Sequence, residues 1–184
     1  MKFEQTKLEG NYLIDLDKKE DERGFFARYF CSKEFGAKDL NTHWVQINNS
    51  LSKTKGTLRG LHYQRTPNAE IKLIRCLKGA IWDVVVDLRD SSKTFGEWFG
   101  AELSSENRTM MYVPKGFAHG FISLKPDTEI LYLVSDFYEP ASEGTLIWND
   151  PEININWPLD ATIISEKDKN GVSLEQTTPI KIGK

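Results

Sequence analysis

Thr57-Leu58-Arg59-Gly60-Leu61-His62-Tyr63-Gln64 and, eight residues on, Lys72-Leu73-Ile74-Arg75 read as two short strands whose apolar positions are interrupted by an imidazole, guanidinium groups, an amide and an ammonium. Charged and titratable groups on buried strands are costly unless something pairs with them or uses them. The stretch is therefore both the centre of a β-architecture and a candidate site. His62, one of three histidines, is the kind of side chain that takes up and returns a proton near neutrality. A lone histidine on a strand is ordinarily a satisfied core residue; the cationic and amide neighbours argue for chemistry here. Strict alternation sends Arg59 to the face opposite His62, so the two can meet one ligand only if Gly60 marks a bulge.

Towards the C-terminus the pattern is strand after strand: Lys72 to Leu77, Ala80 to Leu88, Trp98 to Leu103, Met110 to Val113, Ala118 to Leu124, Glu129 to Val134 and Thr145 to Trp148, punctuated by Gly79, Gly96, Pro114-Lys115-Gly116 and Pro126-Asp127. Short runs rich in Val, Ile, Phe and Tyr, without alternating helices, predict an all-β sandwich or barrel and argue against a doubly wound parallel sheet. Within Ala80 to Leu88, alternation puts Asp83 and Asp87 on one face, which must either meet solvent or pair them in a wet interior. Towards the N-terminus we expect a strand, a charged turn over Asp17 to Gly24 and a second strand. A short helix capped by Ser32, a strand over Trp44 to Asn48 and a polar loop from Asn49 to Gly56 follow. The expected organisation is one domain over 1–184, with N-terminal strands and loop in 1–56, a core in 57–158 and a polar tail in 159–184.

A chain of 184 residues with 39% hydrophobic and 28% charged residues has the balance of a soluble protein. Its net charge of −3 offers no basic surplus for nucleic acid. No apolar run approaches the ~20 residues of a membrane span. The absence of a secretory apolar core at the start and two widely spaced cysteines, Cys31 and Cys76, lead us to expect the cytoplasm.

Asp21-Glu22-Arg23-Gly24-Phe25-Phe26, Leu58 to Gln64, Lys72 to Arg75, Asp83-Val84-Val85-Val86-Asp87-Leu88-Arg89, Pro114-Lys115-Gly116-Phe117-Ala118-His119-Gly120-Phe121 and Trp148-Asn149-Asp150-Pro151 together resemble the dTDP-4-dehydrorhamnose 3,5-epimerase family, in order and along nearly the whole chain. The resemblance implies a cupin-type jelly roll with short peripheral helices, usually a homodimer, acting on a nucleotide-linked 4-keto-6-deoxy sugar without metal or organic cofactor. Residue by residue, it implies His62 as general base, Tyr132 as general acid, Asp168 as the carboxylate holding the histidine, and Lys72 as the cation beside the C4 oxygen. It further implies Arg23, Gln46, Asn48, Arg59, His119, Glu143 and Lys167 as nucleotide or sugar contacts, with Tyr138 stacking on the base. Asp83 is a second candidate for the orienting carboxylate.

The chemistry asks for such a set independently. A hydrogen beside a ketone is acidic only because charge can move onto the oxygen, so a base at carbon needs a donor or cation at oxygen. Inversion needs a proton returned from the opposite face. Three departures bear on the substrate: Arg28 stands where the family has a thymine-recognising glutamate, Leu133 where a lysine is common, and the Gln46 to Arg59 loop is one residue longer. An obligate donor such as Arg28 cannot accept from a ring N–H. A CDP- or GDP-linked sugar, a heptose, or inversion at C3 alone are thus alternatives. Two other classes remain. A metal-dependent cupin on His62 and His119 needs three or four converging ligands, yet Gly60 stands where an His-x-His pair would begin. A non-catalytic sugar-nucleotide module would need neither His62 nor Tyr132.

Overall fold

The two carboxylates of Ala80–Asp87 lie inside the protein, fully buried and paired: Asp83 Oδ1 with His119 Nε2 at 2.8 Å, and Asp87 with Arg89, Ser92 and Thr94. Both faces of this strand are covered, which is why its sequence reads as nearly continuous apolar character. The computed structural model describes residues 1–183. In chain order the strands are β1 (Lys2–Gln5), β2 (Tyr12–Asp15), β3 (Lys19–Asp21), β4 (Gly24–Phe26), β5 (Gln46–Ser52), β6 (Thr57–Gln64), β7 (Lys72–Lys78), β8 (Ala80–Asp87), β9 (Trp98–Ser104), β10 (Met110–Val113), β11 (Phe117–Ser123), β12 (Thr128–Val134), β13 (Glu143–Thr145) and β14 (Ile163–Ile164). Helices α1 (Ser32–Gly36) and α2 (Glu166–Lys169) are single turns.

Two sheets face each other. One runs β1-β2-β10-β7-β12-β5, the other β13-β6-β11-β8-β9 with β14 added in parallel to β6; β3 and β4 form a separate hairpin. Between the sheets lies a core of Ile74, Cys76, Met111, Val113 and Ile130 from the first and Ile81, Val85, Leu103, Phe117 and Phe121 from the second. A second cluster covers the outer face of the second sheet, where Leu61, Tyr63, Val84, Val86 and Leu88 meet Leu146, Ile153, Leu174 and Ile180. The N-terminal segment packs Phe3, Phe35 and Trp44 on the outer face of the first sheet. This is the all-β jelly roll with short peripheral helices. Its N-terminal strands and its tail are woven into the two sheets: β1, β2 and β5 make half of one, and β14 joins the other.

Local expectations shift in three places. The cap of α1 is Cys31, with no side-chain hydrogen bond, so Ser32 is the first helical residue and not the cap. β5 continues to Ser52, shortening the expected loop, because its residues pair with β12 along their full length. The strand expected over Thr145 to Trp148 lies at Glu143–Thr145, drawn there by pairing with Tyr63 and its neighbours.

The register of β6 against β11 matters most. His62 pairs with His119 and Arg59 with Phe121, so a span of three residues on β6 matches a span of two on β11, a bulge centred on Gly60. Gly60 has φ +119°, and a Cβ there would sit 2.6 Å from Gly120 Cα and 2.8 Å from the His119 carbonyl oxygen. Only glycine meets both the backbone angle and the close approach. Gly60→Ala should therefore destabilise the fold by about 2–4 kcal/mol, combining backbone strain with overpacking. Urea denaturation with an unchanged m-value checks this.

Candidate active site

Because the bulge inserts one residue, Arg59 and His62 both turn into the space between the sheets. The facing wall follows from the pairing of β5, β12 and β7. Tyr132 stands opposite Asn48 and Ile74, while Val134 stands opposite Gln46 and Lys72, so alternation puts Gln46, Asn48, Tyr132 and Lys72 on one inward face. Two adjoining cavities result. One, of about 390 Å³, is walled by Ser50, Arg59, His119, Phe121, Ile130, Ile164 and Asp168 among others. The other, of about 360 Å³, is walled by Gln46, Asn48, Gln64, Glu70, Tyr138 and Glu143 among others. His62, Lys72 and Tyr132 border both.

His62 Nε2 lies 2.6 Å from Asp168 Oδ1, with the imidazole one-third exposed and the carboxylate 4% exposed. β14 docks on β6 and delivers α2, whose cap Ser165 accepts from the Asp168 N–H. Asp168 Oδ2 accepts from the Gly60 N–H at 3.2 Å, so the bulge also supplies a donor to the carboxylate. Burial alone would raise the Asp168 pKa, but hydrogen bonds and charge from His62, Gly60 and Ser165 hold it below the ordinary carboxylate value. The choice between orienting carboxylates is thereby settled in space: Asp168 holds His62, and Asp83 holds His119.

Lys72 Nζ lies 3.2 Å from Glu70 Oε1, both side chains almost buried. No family motif singles out Glu70; its signal in the sequence is a carboxylate two residues before Lys72, hence on the same side of an extended chain. The Tyr132 phenol is raised above its ordinary pKa, first by burial and then by the charge of Glu70, with Arg59 opposing. Glu143 accepts from Lys167 and from the Tyr138 hydroxyl, which holds its carboxyl below the ordinary value despite burial. Gln46 Oε1 accepts from the Tyr138 N–H. Gln64, also unassigned from sequence, ties down the loop that bears Tyr138 by donating to the Phe137 carbonyl and accepting from the Glu139 N–H. Arg59 donates to Ser52 Oγ and the Leu51 carbonyl and, among the described residues, forms no ion pair.

Arg23 and Arg28 are not brought to these cavities by their own chain. Arg23 is exposed on the β3–β4 hairpin against Asp21, and Arg28 lies near Glu34. The reason is that β3 and β4 pair only with each other and leave the sheets. Among the described residues no three His, Cys, Asp or Glu side chains converge as metal ligands would; His62 and His119 each turn Nε2 onto a carboxylate.

The family model described as dTDP-4-dehydrorhamnose 3,5-epimerase matches residues 5–176. A dTDP-4-dehydrorhamnose 3,5-epimerase of Shigella flexneri is 48% identical over 152 residues, spanning 82% of this chain and 83% of the relative. The crystal structure of the dTDP-4-dehydrorhamnose 3,5-epimerase of Elizabethkingia anophelis superposes with a TM-score of 0.93 at 43% identity, covering 97% of this chain and 98% of that one. The Legionella pneumophila dTDP-6-deoxy-D-glucose-3,5-epimerase, solved in complex with dTDP-4-keto-L-rhamnose, superposes with a TM-score of 0.92 at 36% identity, covering 100% and 99%.

The lowered Asp168 pKa has a stability consequence. A depressed carboxylate contributes stability that is complete above its unfolded pKa, about 3.9, and is lost as pH falls through the lower folded value. Asp168→Asn should cost about 1–3 kcal/mol near pH 7, for lost charge-assisted bonds in a buried site. The gap to the parent protein should close as pH drops below 4, as read by denaturation at several pH values.

Proposed function

The chain belongs to the dTDP-4-dehydrorhamnose 3,5-epimerase family, and from that premise we propose that it inverts carbon centres beside the C4 ketone of a nucleotide-linked 4-keto-6-deoxy sugar, the dTDP-linked sugar first. It is an isomerase. The observation that carries the reading is the placement of His62 on one sheet and of Tyr132 with Lys72 on the facing sheet, all bordering the same cavities. A sugar ring held between the sheets has one face towards the imidazole and the other towards the phenol.

In the proposed sequence His62 removes the hydrogen from C3 or C5. With Nε2 engaged by Asp168, Nδ1 is the nitrogen left to act as base, and the carboxylate favours the imidazolium that forms. Charge moving onto the C4 oxygen meets the Lys72 ammonium. Tyr132 then supplies a proton from the far side, giving the inverted centre; the imidazolium releases its proton to solvent and the phenolate takes one up, which returns both groups to their starting forms. Arg59, a cation with no carboxylate of its own among the described residues, suits the diphosphate, and the neighbouring cavity with Tyr138 and Glu143 suits the nucleoside. His119, Gln46, Asn48 and Lys167 line or border the path between them.

We further propose a homodimer formed from one epimerase unit per chain. Its support is β5, an edge strand whose outer face exposes Ile47 and Leu51, and a hairpin that exposes Phe25 and Phe26. Open strand edges and exposed apolar groups of this kind invite a second copy, whose hairpin would bring Arg23, with Arg28 just beyond it, towards a neighbouring site. Unpaired Cys31 and Cys76 fit work in the reducing cytoplasm. No helix among the described residues is long and apolar enough to cross a membrane.

The test is incubation in D₂O with 4-keto-6-deoxy sugars on dTDP, CDP and GDP, following by NMR which carbon-bound protons exchange and whether configuration changes. Exchange at C3 or C5 with inversion is expected, greatest on dTDP; no exchange on any sugar overturns the reading. His62→Asn should abolish exchange, while Tyr132→Phe should retain exchange but lose inversion by roughly 10²–10⁴-fold, the usual contribution of a general acid. Lys72→Met should slow exchange by about 10²–10³, as expected for loss of an oxyanion donor.

A further inference from the structure

The other carboxylates on or just behind the cavity walls each have a partner that the proposed chemistry already uses or that anchors the fold. Asp168 holds His62, Asp83 holds His119, and Glu143 joins Lys167 and Tyr138. Glu70 is the one the mechanism leaves without a role. It precedes β7, lines the cavity beside Lys72 and Tyr132, and puts Oε1 3.2 Å from Lys72 Nζ with only 12% of its side chain exposed. A carboxylate that close to an ammonium needed at the ketone oxygen would weaken catalysis unless it did something in return, and its burial next to the cation fixes where the cation points.

We propose that Glu70 is a positioning residue of this site: its carboxylate anchors one donor of the Lys72 ammonium, aims the others at the ketone oxygen, and places a negative charge where the Tyr132 phenol must keep its proton. The inference deepens the epimerase reading and rests on it. An ammonium has three donors on a flexible stem, and tying one to Glu70 removes most of its freedom while leaving two for the substrate. Glu70 and Tyr132 share one cavity wall, and burial together with that carboxylate raises the phenol above its ordinary value. The other groups facing the phenol and ammonium across the cavities are Arg59 and His62 on β6, His119 on β11, Glu143 on β13 and Lys167 on α2. Asp168 and Asp83 hold the two imidazoles from behind, and Lys167 pairs with Glu143.

Glu70→Gln keeps the size and a hydrogen-bond acceptor but deletes the charge. Without that charge the phenolate is less disfavoured, so the phenol loses its proton at lower pH. Two readouts are expected to move together. The Tyr132 midpoint, followed by NMR of ¹³Cζ-tyrosine in the unliganded protein and assigned with Tyr132→Phe, should fall by about half a unit to one unit. The alkaline limb of the kcat profile should move down with it. At neutral pH kcat should fall roughly tenfold with KM within about threefold, the pattern of an interaction used in the transition state. A midpoint and pH profile equal to those of the parent overturn the proposal. Should Glu70→Gln fail to fold, Glu70→Asp keeps the charge but withdraws it by one methylene. A lowered kcat with the alkaline limb within a few tenths of a unit of the parent then supports the proposal, and parental kcat overturns it. A parent protein that exchanges no protons on any ketosugar takes down the epimerase reading itself, an outcome distinct from an active parent matched by its Gln variant.

Discussion

The contact between Gly60 and Gly120 governs this molecule. Two backbones approach so closely there that neither glycine can carry a Cβ without striking the opposite strand. The extra residue accommodated on β6 changes the direction of everything beyond it. Because of that one inserted residue, Arg59 and His62, three apart in sequence, look into the same space. The Gly60 N–H, freed from the ladder, finds the carboxylate that orients His62. A regular strand would have sent Arg59 to the outer face and left Asp168 short of a donor. Strand bulges beside active sites re-aim side chains in this way.

The second organising feature is charge compensation across a narrow gap. His62, Lys72 and His119 face the gap between the sheets and Lys167 stands at its rim, and each lies against one carboxylate: Asp168, Glu70, Asp83 and Glu143. Buried polar pairs of this kind contribute little net stability, since desolvation offsets much of the attraction. Their value is directional: each cation or imidazole is held in one orientation before a ligand arrives, so less entropy is lost when it binds. Arg59, which among the described residues donates to Ser52 Oγ and a carbonyl and meets no carboxylate, presents its positive charge in a way that suits an anionic ligand.

The two sheets divide the labour. The imidazole belongs to β6, while the phenol and the ammonium belong to β12 and β7 of the facing sheet. A rigid sandwich whose core is filled by Ile74, Ile81, Val85, Leu103, Met111 and Phe121 fixes the separation between them, because interiors packed at crystal-like density do not breathe by the ångström that misalignment would need. Inverting a stereocentre asks for groups on both sides of a ring, and the open end of a sandwich is a natural place to provide them.

How much of this was readable beforehand follows from what is local and what is not. Period-2 alternation and short Val/Ile/Phe runs are properties of neighbouring residues, so the all-β class and most strand positions came from the sequence alone. The family motifs likewise named His62, Tyr132, Lys72 and Asp168. The sequence also flagged Gly60 as the point on which Arg59 depended. Tertiary structure alone decided that Asp83 serves His119 and not His62, since β8 meets β11 at that level. It alone brought the Glu70–Lys72 pair to a cavity shared with Tyr132, and it alone left Arg23 on a hairpin and Arg28 beside Glu34, outside the cavities of their own chain. Pairing order between distant strands is settled by the collective packing of two sheets, and no window of neighbouring residues contains that information.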